Sequence, residues 1–187
     1  MTSTEATMGQ QLTGERADIL EALRAHRGFL RQTLQGLDDE QATRRSTVSA
    51  LDLAGLVKHV AETEAGWIEF VLRGPEALGG GTDWANVDWE ALAASGVDPR
   101  HDEFHLVEGE TVAGVLARYD EVAARTDELV ATVDLDASWP LPEAPWFPQG
   151  ATRSARRVFI HVVGETAQHA GHADIIREAI DGAKTMG

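Results

Sequence analysis

Four side chains able to ligate a metal or move a proton, His161, Glu165, His169 and His172, follow one another at intervals of four, four and three residues. On a helix, at about 100° per residue, they fall within about 80° of one another, along the stripe marked by Val158, Val162, Ile176 and Ile180. The sequence therefore predicts a polar cluster pointing inward, where a carboxylate and several imidazoles are costly unless paired or bound to a metal. Glu165 and His169 reach toward one point and can share one ion. A third ligand has to come from another helix. His59 leads, because it borders the apolar stripe of an earlier helix, about 60° beyond Leu56. His172, one turn beyond His169, is the substitute ligand or a group that hydrogen-bonds substrate; His161 is offset and reads as a capping or surface-edge residue before a ligand. Two imidazoles and a carboxylate suit a divalent metal ion, zinc first and nickel or iron next, with positions left for water or substrate.

Glu64 is a second misfit, projecting onto an apolar stripe between Val60 and Trp67. It reads either as a catalytic group, supporting a metal-bound histidine or acting as a general base, or as half of an ion pair with an arginine of another helix. His101-Asp-Glu-Phe-His105 has ligand-like spacing but no helical periodicity around it and reads as surface. The aromatic residues between Trp139 and Phe147 either roof a pocket or anchor a loop.

The elements that must position these groups are legible from apolar spacing. Helices are predicted over 12–36, 52–73, 111–132 and 154–180, with Thr13 capping the first, Asp52 (or Ser49) the second, Thr111 opening the third, the fourth starting near Thr152 to Ser154, and Gly182 as the last stop. A long acidic connection spans 74–110, with Gly79-Gly80-Gly81 and a short helix near Trp89. The proline-rich stretch 134–150 has to be a rigid loop. Strand-like alternation is absent. Four amphipathic helices predict an all-α four-helix bundle with a long crossover between its second and third helices. Residues 1–11 are expected to form a flexible N-terminus and 12–187 a single domain.

Composition narrows the partners. The chain has 187 residues, 31 acidic against 16 basic, a formal net charge of -15 and no cysteine. Nucleic acid is an unsuitable partner for so acidic a surface, and no apolar run reaches the length of a membrane span. A start without the charged and apolar parts of a signal peptide points to the cytoplasm. Without cysteine there is no disulfide and no thiol of the chain's own; a thiol, if used, comes from outside.

The segments Gly55-Leu-Val-Lys-His59-Val-Ala and Glu165-Thr-Ala-Gln-His169-Ala-Gly-His172-Ala-Asp174, followed by Ile-Ile-Arg-Glu-Ala-Ile-Asp181-Gly182, resemble the DinB-like superfamily. The likeness is to its actinobacterial branch and to the metal-binding domain of mycothiol-dependent maleylpyruvate isomerases. It implies a four-helix bundle, commonly a homodimer, holding a divalent metal on three residues. Many relatives use three histidines; here the set resembles the His, Glu, His of the isomerases, carried by His59, Glu165 and His169. The further C-terminal domain of those isomerases is not seen. Two functions follow as expectations: a metal-dependent transferase or isomerase joining a low-molecular-weight thiol such as mycothiol to a small electrophilic substrate, or a non-catalytic, stress-related protein binding a metal or small molecule.

Overall fold

The computed structural model describes residues 12–79, 87–96 and 101–185. The expected flexible N-terminus, and Gly80 and Gly81 of the glycine run, lie outside these. Four long helices dominate: α1 (Glu15–Gln32), α3 (Leu53–Arg73), α6 (Val112–Thr132) and α7 (Ala155–Asp181). Between them stand the short helices α2 (Asp39–Ala42), α4 (Glu76–Gly79) and α5 (Trp89–Ser95), and a 3-10 turn over His101–Glu103. The described residues of the connection 74–110 include short helical pieces, among them the one expected near Trp89.

Local chemistry sets the ends of the long helices. The Asp52, Thr111 and Ser154 side chains accept from the backbone N–H groups of Gly55 (2.8 Å), Gly114 (3.1 Å) and Arg157 (3.2 Å), supplying acceptors that the first turn lacks. Gly182 closes α7 in the left-handed region at φ 79°. Helix α1 departs from expectation. Its cap is Gly14, at φ 61° and with no side-chain bond, rather than Thr13. The short α2 was not foreseen although its signal is plain: Asp38 and Gln41 form a reciprocal capping box.

Helix α1 packs against α6 and α7, and α3 packs against the same two, so the four long helices close around a common interior. Two apolar clusters fill it. One gathers Leu30, Leu34, Leu56, Val60, Val115 and Ile176; the other Leu20, Leu23, Trp67, Val122, Leu129 and Val162. Between them every long helix contributes a buried polar residue: Arg27 from α1, Glu64 from α3, Thr126 from α6 and Thr166 from α7. The Glu64 carboxylate accepts from Arg27 Nε at 3.2 Å, from Arg27 Nη2 and from the Thr126 hydroxyl. Arg27 also donates to Asp127 at 2.8 Å. Burial opposes the charge on Arg27, but Glu64 and Asp127 outweigh it and its pKa moves up. Of the two readings of Glu64, the ion pair with an arginine of another helix is the one the structure contains. With its oxygens engaged by a guanidinium and a hydroxyl, it has the environment of a structural carboxylate and not that of a general base.

Two connections pack against the ends of α3. The segment after the 3-10 turn lies so close on α3 that a Cβ added to Gly55 would stand 1.7 Å from the Phe104 carbonyl oxygen. At the other end, Trp139 donates from Nε1 to the Val71 carbonyl (3.1 Å) and lies against Gly74, which takes φ 77°. Trp139 is therefore a loop anchor. Contrary to the expectation of no strands, Ser138–Pro140 (β1) and Thr152–Ser154 (β2) pair antiparallel, Trp139 opposite Arg153. Alternation could not reveal them, because each is three residues long and neither has a buried face.

Candidate functional site

Helices α3 and α7 run antiparallel in a register that sets His59 against His169, ring centres 5.0 Å apart, and Trp67 against His161, 4.7 Å apart. The same register puts Thr63, midway on α3, at the level of Glu165 on α7. The result is one strip of functional groups along the seam between the two helices, spanning about 12 Å from His161 to His169 at 1.5 Å per residue.

The buried positions of α7 are Ala155, Val158, Phe159, Val162, Thr166, Ala170, Ala173 and Ile176. His161, Glu165, His169 and His172 each precede one of them by one residue, so the strip flanks the buried stripe instead of coinciding with it. The expectation of an inward cluster is corrected to that extent. Side-chain exposure is 12% for His169, 22% for His161 and 31% for Glu165, and His172 is exposed. The interior at this level is taken by Thr166 and Ala170, small enough to bring α3 and α7 together while leaving larger polar side chains at the seam.

Glu165 stands between two imidazoles: one carboxylate oxygen is 3.7 Å from His161 Nε2 and the other 3.7 Å from His169 Nε2. The ring of His172 is 5.5 Å from that of His169. On α3, the ring of His59 stacks on Phe104 with centres 4.1 Å apart; its Nε2 faces the Thr63 hydroxyl at 3.4 Å and its Nδ1 faces Glu103 at 3.9 Å. The residues named for a metal, His59, Glu165 and His169, thus share one stretch of the seam, with a donor chemistry suited to a divalent ion. Neighbours of their donor atoms lie at 3.4–3.9 Å, and among the described residues no three His, Asp or Glu side chains converge as a metal shell does.

Burial pushes the His161 imidazole below its ordinary value, Arg153 adds to this, and Glu165 pulls the other way. By position, His161 stands at the Trp67 end of the strip.

Sequence reasoning missed Glu103 and Phe104. The His101 to His105 segment, read as surface, is exposed only at its start; Phe104 covers His59, and His105 Nδ1 lies 2.7 Å from the buried Asp52 carboxylate. Its ligand-like spacing was the available signal. Also missed was Arg153, whose guanidinium lies over Trp67 at 4.5 Å and near Phe147 at 5.5 Å. Phe147 thus lies near the Trp67 end of the strip. A cavity of about 680 Å³ between α1 and α6, lined by Arg31, Leu34 and Leu116 among others, involves none of these groups.

Among the described residues no helix is long and apolar enough to cross a membrane. A search of curated proteins returns no match. A family model described as mycothiol-S-transferase matches residues 18–182, which takes in all four long helices apart from the first turn of α1 and both faces of the seam. The chain belongs to this mycothiol-S-transferase family, a member of the DinB-like superfamily.

Proposed function

We propose that the protein is a metal-dependent thiol S-transferase that joins mycothiol, or a close relative of it, to a small electrophile at the α3/α7 seam. The observation that carries the proposal is the placement of His59 against His169 across two helices, with Glu165 beside them, in a chain of the mycothiol-S-transferase family. His59, Glu165 and His169 would hold the ion, reached by side-chain rotation at a half-buried seam, and zinc suits the set best, before nickel or iron. A divalent ion there would supply charge that lowers the pKa of a thiol brought to it.

The rest falls to this chain's own residues. Phe104, stacked on His59, limits the freedom of that ring and keeps water from one of its faces. His172, exposed beside His169, is placed to take the proton of the arriving thiol and pass it to solvent. The sulfur then gives an electron pair to the new sulfur–carbon bond, and in a substitution the leaving group departs with the pair of the bond it breaks. Because the chain has no cysteine, the thiol supplied from outside meets no competing nucleophile of the same kind.

We read the long helices as a DinB-like four-helix bundle with its crossover between α3 and α6, acting in the cytoplasm. We read its assembly as a homodimer, for which the exposed Ile160 and Ile175 on the outer face of α7 offer apolar surface. The test is elemental analysis of protein purified without affinity metals, then Co(II) substitution and titration with mycothiol. A sulfur-to-cobalt charge-transfer band in the wild type is expected, with both metal and band absent in His169→Ala. Tight metal binding without any thiol band would favour a non-catalytic binding protein. Retention of metal by both His169→Ala and His59→Ala would refute the ligand set.

A further inference from the structure

Arg153 precedes α7 by one residue beyond its cap and stands at the Trp67 end of the seam. Most arginines of the chain are tied down: Arg27 to Glu64, Arg156 to Glu15 and Asp136, Arg177 to Asp181. Arg153 is different. Its Nη1 is buried with no hydrogen-bond partner, and among the described residues no carboxylate comes within ion-pair distance of it. A guanidinium is always charged and offers five donors in a rigid fork, so a buried prong without an acceptor is a cost the fold carries for some reason.

Its surroundings say what would satisfy it. Trp67 and Phe147 flank the guanidinium, and Trp67 touches His161 in turn, so Arg153 is continuous with the strip that includes Glu165 and His169. Burial and the neighbouring Arg157 both depress the Arg153 pKa, with only Glu165 opposing. In a chain of net charge -15, this end of the seam therefore holds a local excess of positive charge. Flat aromatic walls beside a planar fork suit a small, planar, singly charged anion, and the overall negative charge disfavours a multiply charged one.

We infer that Arg153 anchors a carboxylate on the electrophilic substrate, with Trp67 and Phe147 bordering the substrate's carbon skeleton and the reacting carbon directed along the seam toward His169. This inference rests on the transferase reading, but its test does not need the metal or the thiol. Calorimetric titration of the purified protein with benzoate and with neutral benzamide compares the same ring with and without the charge. Wild type should bind benzoate at least tenfold more tightly than benzamide. Arg153→Gln should lose that preference while benzamide affinity stays unchanged, and Arg153→Lys, which keeps the charge but not the fork, should retain part of it. If the Gln variant fails to fold by circular dichroism, the Lys variant decides: a preference cut several-fold supports the anchor, and an unaltered one overturns it. A wild type indifferent to the charge, or a preference that survives in folded Arg153→Gln, overturns it as well. Loss of the thiol band with benzoate binding intact would instead count against the transferase reading alone.

Discussion

Gly55→Ala should destabilise the protein, although alanine is the better helix former by about 1 kcal/mol. The added methyl would stand 1.7 Å from the carbonyl oxygen of Phe104 and 2.3 Å from its carbonyl carbon. Carbon contacts are comfortable at about 3.5 Å or more, so backbone, and not a flexible side-chain tip, has to retreat by nearly 2 Å. Overpacking of this kind costs about 1–3 kcal/mol, and a rigid obstacle belongs at the upper end. After the gain in propensity, a net loss of about 1–2 kcal/mol remains. Gly164→Ala is the control. Gly164 is exposed in α7 and nothing lies within 4 Å of its added Cβ, so that substitution should stabilise by about 0.5–1 kcal/mol.

Urea denaturation followed by circular dichroism reads both signs, provided the dependence on denaturant is unchanged. A second readout follows from the 4.1 Å stack of Phe104 on His59: the ring proton shifts of His59 should move in Gly55→Ala and stay put in Gly164→Ala. If Gly55→Ala stabilises as much as its control and leaves the His59 shifts alone, the segment around Phe104 does not lie on α3 and the covering of His59 is wrong.

Two further outcomes probe the buried polar layer. Glu64→Ala leaves the buried Arg27 guanidinium with Asp127 as its only carboxylate partner among the described residues and should cost about 3 kcal/mol, the low end for breaking a buried pair, whereas Arg27→Met combined with Glu64→Leu should cost far less than either partner's loss alone; equal costs, measured by denaturation, would mean that the pair is not the buried unit described. Tyr119, the sole tyrosine, has its phenol pushed well above the ordinary value of about 10 by burial first and by Glu64 second, with Arg27 opposing. The stability this reflects is fully present below pH 10 and is lost as pH rises beyond it, because the unfolded chain ionises first. Absorbance near 295 nm should therefore rise only as helicity is lost, and ionisation near pH 10 with circular dichroism intact would refute it.

The four long helices were legible because each carries several turns of apolar residues at helical spacing and, in three cases, a side-chain cap. What the pattern could not supply was partners. Glu64 stood out as a misfit on its stripe, yet the residue that resolves it lies 37 positions away. A signal did exist: Arg27 interrupts the α1 stripe between Leu23 and Leu30 just as Glu64 interrupts that of α3, and two such gaps of opposite charge mark a shared level in the interior. The segment around Phe104 was harder. It lacks periodicity, and the reason it sits where it does is the missing side chain of Gly55, which leaves no trace in a hydrophobic pattern.

Both misfits the sequence offered, Glu64 and the polar arc of α7, broke the same rule, and the structure resolves them in different ways. Glu64 is 1% exposed and neutralised by a guanidinium from α1 with a hydroxyl from α6. Glu165 lies at nearly the same level of the molecule, one residue before the buried Thr166, but on the seam, where its neighbours are two imidazoles and its exposure is 31%. A carboxylate already locked to arginine has little left to give a ligand. One that shares its oxygens with histidines, at distances longer than a hydrogen bond, can exchange them for a cation at small cost. That difference in what each carboxylate holds, more than its place in a helical pattern, separates a carboxylate that fixes the fold from one on the seam that keeps capacity for a ligand.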